Sequence, residues 1–110
     1  MPVKNFQDDL LLKLKDSEFA ATYLKASLDE TLQDGCTEAF LLALRNVVEA
    51  RSKMSAVAQQ ADVNRQHLYK LLSGEGNPTL ENMIAILEAV GLSLDFKPMS
   101  ENLAGNSTVG

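Results

Sequence analysis

AVAQQADVNRQHLYKLL, residues 56–72, is the stretch on which the reading of this chain turns. Placed in a twenty-residue helix-turn-helix frame that begins at Met54, Val57, Ala61, Val63, Leu68 and Leu71 fall on positions 4, 8, 10, 15 and 18. Those are the points at which two steeply crossed helices must face inward. Ala58 supplies, at the fifth position, the small side chain that lets the two backbones approach. The ninth position wants a positive φ, which favours Gly, and here it is Asp62. Asp tolerates the left-handed region better than most residues, at a cost of order 1 kcal/mol against Gly. Asn64 can then cap the second helix, leaving Arg65, Gln66, His67, Tyr69 and Lys70 at or near its N-terminal, outward surface. Arg forks onto guanine, Gln or Asn pairs doubly with adenine, and Tyr and Lys reach phosphates, while a helix fits the major groove. Any solvated helix face also carries polar residues. The DNA-binding reading therefore leans on the inward pattern and the outward composition together.

Charge distribution adds to it. The 110 residues carry a net charge of -5, which by itself argues against a polyanionic partner. From Leu41 to Ser73, however, Arg45, Arg51, Lys53, Arg65 and Lys70 face only Glu49 and Asp62, a net +3, whereas residues 1–40 and 74–110 each sum to -4. A basic island lies between two acidic flanks. Such flanks would repel DNA and suit a basic protein partner.

Working outward, Phe6 to Leu14 reads as a short helix with Asn5 as its cap and Asp8 and Asp9 near the positive end of its dipole. Asp16 can cap a second helix through about Gln33, with Ala20, Leu24, Leu28 and Leu32 recurring every four residues and Gly35 ending it. Thr37 opens a third, to about Arg51, apolar round so much of its circumference that neighbours must cover it on several sides. Two short helices, Met54 to Ala61 and Arg65 to Leu72, make up the motif, and SGEGNP after them is a loop. Thr79 caps a final helix closed by Gly91. Leu92, Leu94 and Phe96 alternate with Ser93, Asp95 and Lys97, the period-two pattern of a half-buried strand. Its partner would be the N-terminus around Met1 to Lys4, or the same strand of a second subunit. The expected architecture is all-α, with about five to six helices and one short C-terminal β-strand. Residues 1–98 are expected to form a single helical domain with the motif at 54–73, and residues 99–110 a flexible tail.

Several chemistries are disfavoured. A single His67, a single Cys36 and no Trp cannot supply the usual metal, triad or Cys-His sets, so no metal, cofactor or enzymatic activity is implied. Cys36 reads as a packed thiol in a reducing compartment. SGEGNP lacks the lysine and hydroxyl of a phosphate-binding loop. No apolar run approaches the roughly 20 residues of a spanning helix, and MPVKNFQDDL lacks the layout of a signal peptide, so a cytoplasmic protein without a membrane partner is expected.

Three stretches in this order and spacing, EFAATYLKASLDE (18–30), EAFLLALRNVVEARSKMSAVAQQADVNRQHLYKLLS (38–73) and GNPTLENMIAILEAVGLSL (76–94), resemble the addiction-module antitoxins, or antidote proteins, with a helix-turn-helix of Cro/cI or Xre type, HigA-like. The resemblance covers about Asp16 to Phe96. It implies a Cro/cI-like domain that binds double-stranded operator DNA as a homodimer, represses its own operon and neutralises a RelE/HigB-like toxin. The family's recognition positions carry over onto Asn64, Arg65, Gln66, His67, Tyr69 and Lys70; no toxin-contact residue does. Asp62 departs from the glycine common at the turn. A stand-alone Xre-type regulator without a toxin, and a protein-interaction module without DNA affinity, are the alternative readings.

Overall fold

A computed structural model describes residues 6–99, and these fold into six helices: α1 (Phe6–Lys13), α2 (Ser17–Asp34), α3 (Glu38–Arg51), α4 (Met54–Gln60), α5 (Arg65–Leu71) and α6 (Leu80–Ala89). The boundaries follow from local hydrogen bonding. The Asp16 carboxylate accepts the Phe19 N–H at 2.9 Å and opens α2, and Gly35 ends that helix at φ 75°. Thr79 Oγ1 accepts from the Asn82 N–H at 3.0 Å at the start of α6. Each cap satisfies an N–H that has no partner within its own helix. Thr37 precedes α3 without a side-chain cap bond. Asn5, read as the cap of α1, lies outside the described residues.

α3 is the hub. It packs against α1, α2 and α4, and buries Leu41, Ala43, Leu44, Val47 and Val48, as its nearly all-round apolar character requires. α4 packs in turn against α5 and α6. Leu14, Leu24, Leu44, Val57, Leu68, Leu72, Ile86 and Val90 all belong to one buried cluster, so the motif and the flanking helices share a core. Burial of a Leu or Val side chain contributes about 1.5–3 kcal/mol each before chain entropy is set against it. The four-residue stripe of α2 joins this core only in part: Ala20 and Leu24 are buried, whereas Leu28 is 39% and Leu32 74% exposed. The helix outruns the surface it rests on.

Arg51 locks three elements together. Its Nε donates to the Val90 carbonyl at 2.7 Å and its Nη1 to the Lys15 carbonyl at 2.7 Å, tying the end of α3 to the end of α6 and to the α1–α2 turn. A guanidinium at a helix C-terminus satisfies orphan carbonyls and meets the negative end of the dipole.

Two expectations need correction. Residues 92–99 form no strand, and no strand occurs among the described residues. The alternating pattern is present, but a strand exists only as one member of a ladder, and nothing within residues 6–99 lies beside it to complete one. The proposed N-terminal partner, Met1 to Lys4, lies outside the described residues, as does the tail beyond Met99. Cys36 is exposed rather than packed, because it sits in the α2–α3 turn, where its N–H is taken by Asp34 Oδ1 at 2.9 Å. No helix among the described residues is long and apolar enough to cross a membrane.

Candidate nucleic-acid interface

The turn between α4 and α5 is built by backbone geometry. Asp62 is the one non-glycine residue with positive φ, at 60°, among the described residues. Its N–H donates to the Gln59 carbonyl at 3.2 Å, and the next N–H, of Val63, reaches back to the Ala58 carbonyl at 3.0 Å. That pair of bonds is the Schellman closure, with Asp62 where glycine usually stands. Val57, Ala58 and Ala61 are buried, and Val63 is half-buried against the core. Ala58 is 2% exposed where α4 meets α5, so the crossing has no room for a longer side chain there.

α5 is then held by one side. Leu68 and Leu72 are fully buried and Leu71 nearly so. On a helix of 3.6 residues per turn, Gln66 and Lys70, one turn apart, stand on the face opposite Leu68 and Leu72. Both are exposed, as are Arg65 and His67. The side chains of Gln66, His67 and Lys70 have no hydrogen-bond or ion-pair partner within the described residues.

The other two predicted residues are placed differently. Asn64 caps α5: its Oδ1 accepts the His67 N–H at 2.6 Å, so this oxygen is spoken for and only the amide NH2 remains for an outside group. Tyr69 is half-buried and packed against the core, with the Arg45 guanidinium 5.0 Å and that of Arg65 6.0 Å from its ring centre. Two cations over one ring form a cation–π stack that draws Arg65 toward Tyr69, one turn further along α5.

The basic island is smaller in space than along the chain. Arg45 pairs with Glu49 at 3.2 Å besides its contact with Tyr69, and Arg51 is spent on carbonyls. Lys53, Arg65 and Lys70 are its exposed cations. A cleft beside them is lined by Ser55, Gln59, Asp62, Asn64 and Arg65.

A family model described as "Probable addiction module antidote protein" matches residues 3–98. The chain belongs to this family of antidote proteins. The antidote protein is 42% identical, over 70 residues, to an uncharacterized protein of Haemophilus influenzae (strain Rd); the alignment covers 64% of the chain and 71% of that relative. No solved structure matches it. Membership implies a toxin as partner in general terms.

Three features of the antidote protein were not read from its sequence. Ser55 and Gln59, four residues apart on the polar face of α4, line the same cleft as Asn64 and Arg65; the i, i+4 spacing was a usable signal. Leu72, at position 19 of the twenty-residue frame, is as buried as Leu68. The Arg45–Tyr69 stack joins residues far apart in sequence, and nothing local announces it.

Proposed function

We propose that this antidote protein is a DNA-binding antitoxin of a type II toxin–antitoxin module that represses its own operon. In this reading α4 and α5 are a helix-turn-helix of Cro/cI (Xre) type, HigA-like. As a homodimer the protein presents two α5 helices to successive major grooves about 34 Å apart, so the operator is an inverted repeat. It acts by binding and not by catalysis, in the cytoplasm, and its toxin is a RelE/HigB-like protein.

One observation carries the reading. α5 is fixed through Leu68, Leu71 and Leu72 and turns Arg65, Gln66, His67 and Lys70 outward with their heads unburied. Donors held on a rigid element can enter a groove without a large ordering penalty. Gln66 and Arg65 supply base-edge contacts; Lys70 and Lys53 supply phosphate contacts, joined by the Ser55 and Gln59 side chains across the cleft. The exposed acids of α2, Asp29, Glu30 and Asp34, lie on a helix that packs on α3, apart from the α4–α5 pair, and suit a basic toxin.

Binding of the full chain to DNA from its own promoter and to random DNA, titrated between about 50 and 200 mM salt, tests this. Gln66→Ala is expected to weaken promoter binding by about 1–3 kcal/mol, relax one base position and leave random DNA unaffected. Lys70→Ala is expected to weaken both and lower the salt slope by about one. Equal losses on the two DNAs for both variants would sink the assignment of α5 to base reading, and a wild-type chain that binds neither DNA would favour a module that contacts protein alone.

A further inference from the structure

After Leu92 closes α6, the chain has no neighbour to pair with. From Ser93 to Met99 the only backbone N–H with a partner among the described residues is that of Phe96, which donates to Asp95 Oδ1 at 2.8 Å, and no carbonyl of this run accepts a hydrogen bond. The same run exposes Leu94 by 48%, Phe96 by 94% and Met99 by 73%. Leu94 and Phe96 alternate with Ser93, Asp95 and Lys97 in the pattern of a strand with one covered face, and Met99 falls on the polar side.

We propose that residues 93–99 pair with the same residues of a second copy, as a two-stranded antiparallel ribbon centred on Phe96. This deepens the dimeric half of the reading above and rests on it, naming the surface through which the dimer forms. The chemistry of the run selects both the partner and the register. A two-fold axis perpendicular to an antiparallel pair must pass through one residue and its own copy. With Phe96 on the axis, Asp95 of each strand faces Lys97 of the other, twice. Opposite charges directly across a ladder are favourable and like charges are not. With Asp95 on the axis two carboxylates meet, and with Lys97 on it two ammonium groups meet. With Leu94 on the axis Asp95 faces Ser93, and the charge pairing is lost. Only one register uses both charges, and it is a register of the segment with itself.

Pro98 selects the phase within that register. Antiparallel pairs alternate between those that exchange two N–H···O bonds and those that exchange none. Phe96·Phe96, Leu94·Pro98 and their symmetry mates share one phase; Asp95·Lys97 and Ser93·Met99 share the other. Pro98 has no N–H to give, so it fits only where none is asked for. Phe96 then sits in a pair without hydrogen bonds, which agrees with its N–H already being held by Asp95 Oδ1. Leu92 and Leu94, with Ser93 and Asp95, border a groove of about 270 Å³ against residues of α2, α3 and α6.

Sedimentation equilibrium of the full chain, with charge-swapped variants, tests the register. Asp95→Lys alone, or Lys97→Asp alone, sets like charges opposite each other and is expected to weaken the dimer by about tenfold; the double swap restores the pairing to within about threefold of wild type. On a Cys36→Ser background, Phe96→Cys is expected to form an intermolecular disulfide under mild oxidation, since Cα atoms of such a pair lie about 4.5 Å apart, while Asp95→Cys is not. A wild-type chain that stays monomeric, single swaps that dimerise normally, or a double swap that stays weak each overturn the proposal. So does a ribbon strand given to the toxin instead, seen as Asp95→Lys abolishing toxin binding while the dimer persists. The two readings fail separately: if Gln66→Ala still costs affinity for a half-operator and none for random DNA while the swaps have no effect, base reading stands and self-pairing falls.

Discussion

α4 and α6 end in the same hydrogen-bonded motif and differ in what stands at its left-handed position. At α6, Gly91 takes φ 85°, its N–H donates to the Glu88 carbonyl at 3.0 Å and the Leu92 N–H to the Leu87 carbonyl at 2.8 Å. At α4, Asp62 takes φ 60° with the equivalent pair of bonds to Gln59 and Ala58. The α6 end is also clamped from outside, because Arg51 donates to the Val90 carbonyl just before the glycine. The α4 end has no such clamp, and the Asp62 carboxylate has no partner within the described residues. The comparison separates a purely architectural helix end, built for stability, from one that carries a side chain at the edge of the candidate interface and forgoes stability to do so.

The clamp is where that contrast is easiest to break. Arg51→Ala removes two 2.7 Å charge-assisted bonds to carbonyls of two other elements. Such bonds contribute about 1.5–3 kcal/mol, and a loss of this size is expected in a denaturant melt. DNA binding by the fraction still folded should keep its salt slope, because this cation faces the protein's own carbonyls. A slope lowered by about one, as expected for Lys70→Ala, would put Arg51 back among the phosphate contacts. Next in size is Gly91→Ala. An added Cβ would lie 3.3 Å from Arg51 Nη2 and would have to adopt a positive φ. The backbone term alone is about 1–2 kcal/mol for an ordinary L-residue. Calorimetry that shows less than a few tenths would mean the α6 end relaxes its closure without loss.

What could be read along the chain and what could not divide on the same physics. Helix ends were legible because a cap is a contract between residues three or four apart: Asp16 with Phe19, Thr79 with Asn82, Gly91 with Glu88. The inward side of the α4–α5 pair was legible because periodicity records it, down to the special backbone at Asp62. Arg51 was not, since its partners are 36 and 39 residues away, and counting it as a free charge inflated the basic island. Tyr69 was placed outward for the same reason; only the fold brings Arg45 over its ring. The strand at 92–97 was expected from alternation, which reports how a segment would pair and not whether a partner is present. The exposure of Leu28 and Leu32 teaches the complementary lesson, because a four-residue stripe fixes a face of a helix but not how far its support extends.

The smallest effect is also the one that ties this comparison to function. Asp62→Gly should stabilise the chain by up to about 1 kcal/mol, since it relieves the left-handed strain while adding some unfolded-state entropy. The same change deletes a carboxylate from the cleft that Ser55, Gln59, Asn64 and Arg65 line, so it should also strengthen binding to any DNA. Two like charges about 8 Å apart in water repel by roughly 0.5 kcal/mol, which sets the scale of that gain. Asp62→Asn separates the two contributions. Asn occupies the left-handed region about as readily as Asp, so its melt should match wild type while its DNA affinity rises like that of the glycine variant. If Asn instead binds DNA as the wild type does, the charge is irrelevant and Asp62 is merely a tolerated turn residue. If both variants gain affinity for random DNA but not for the promoter, the carboxylate weakens non-specific binding selectively, and the stability forgone at the end of α4 sharpens the choice between sequences.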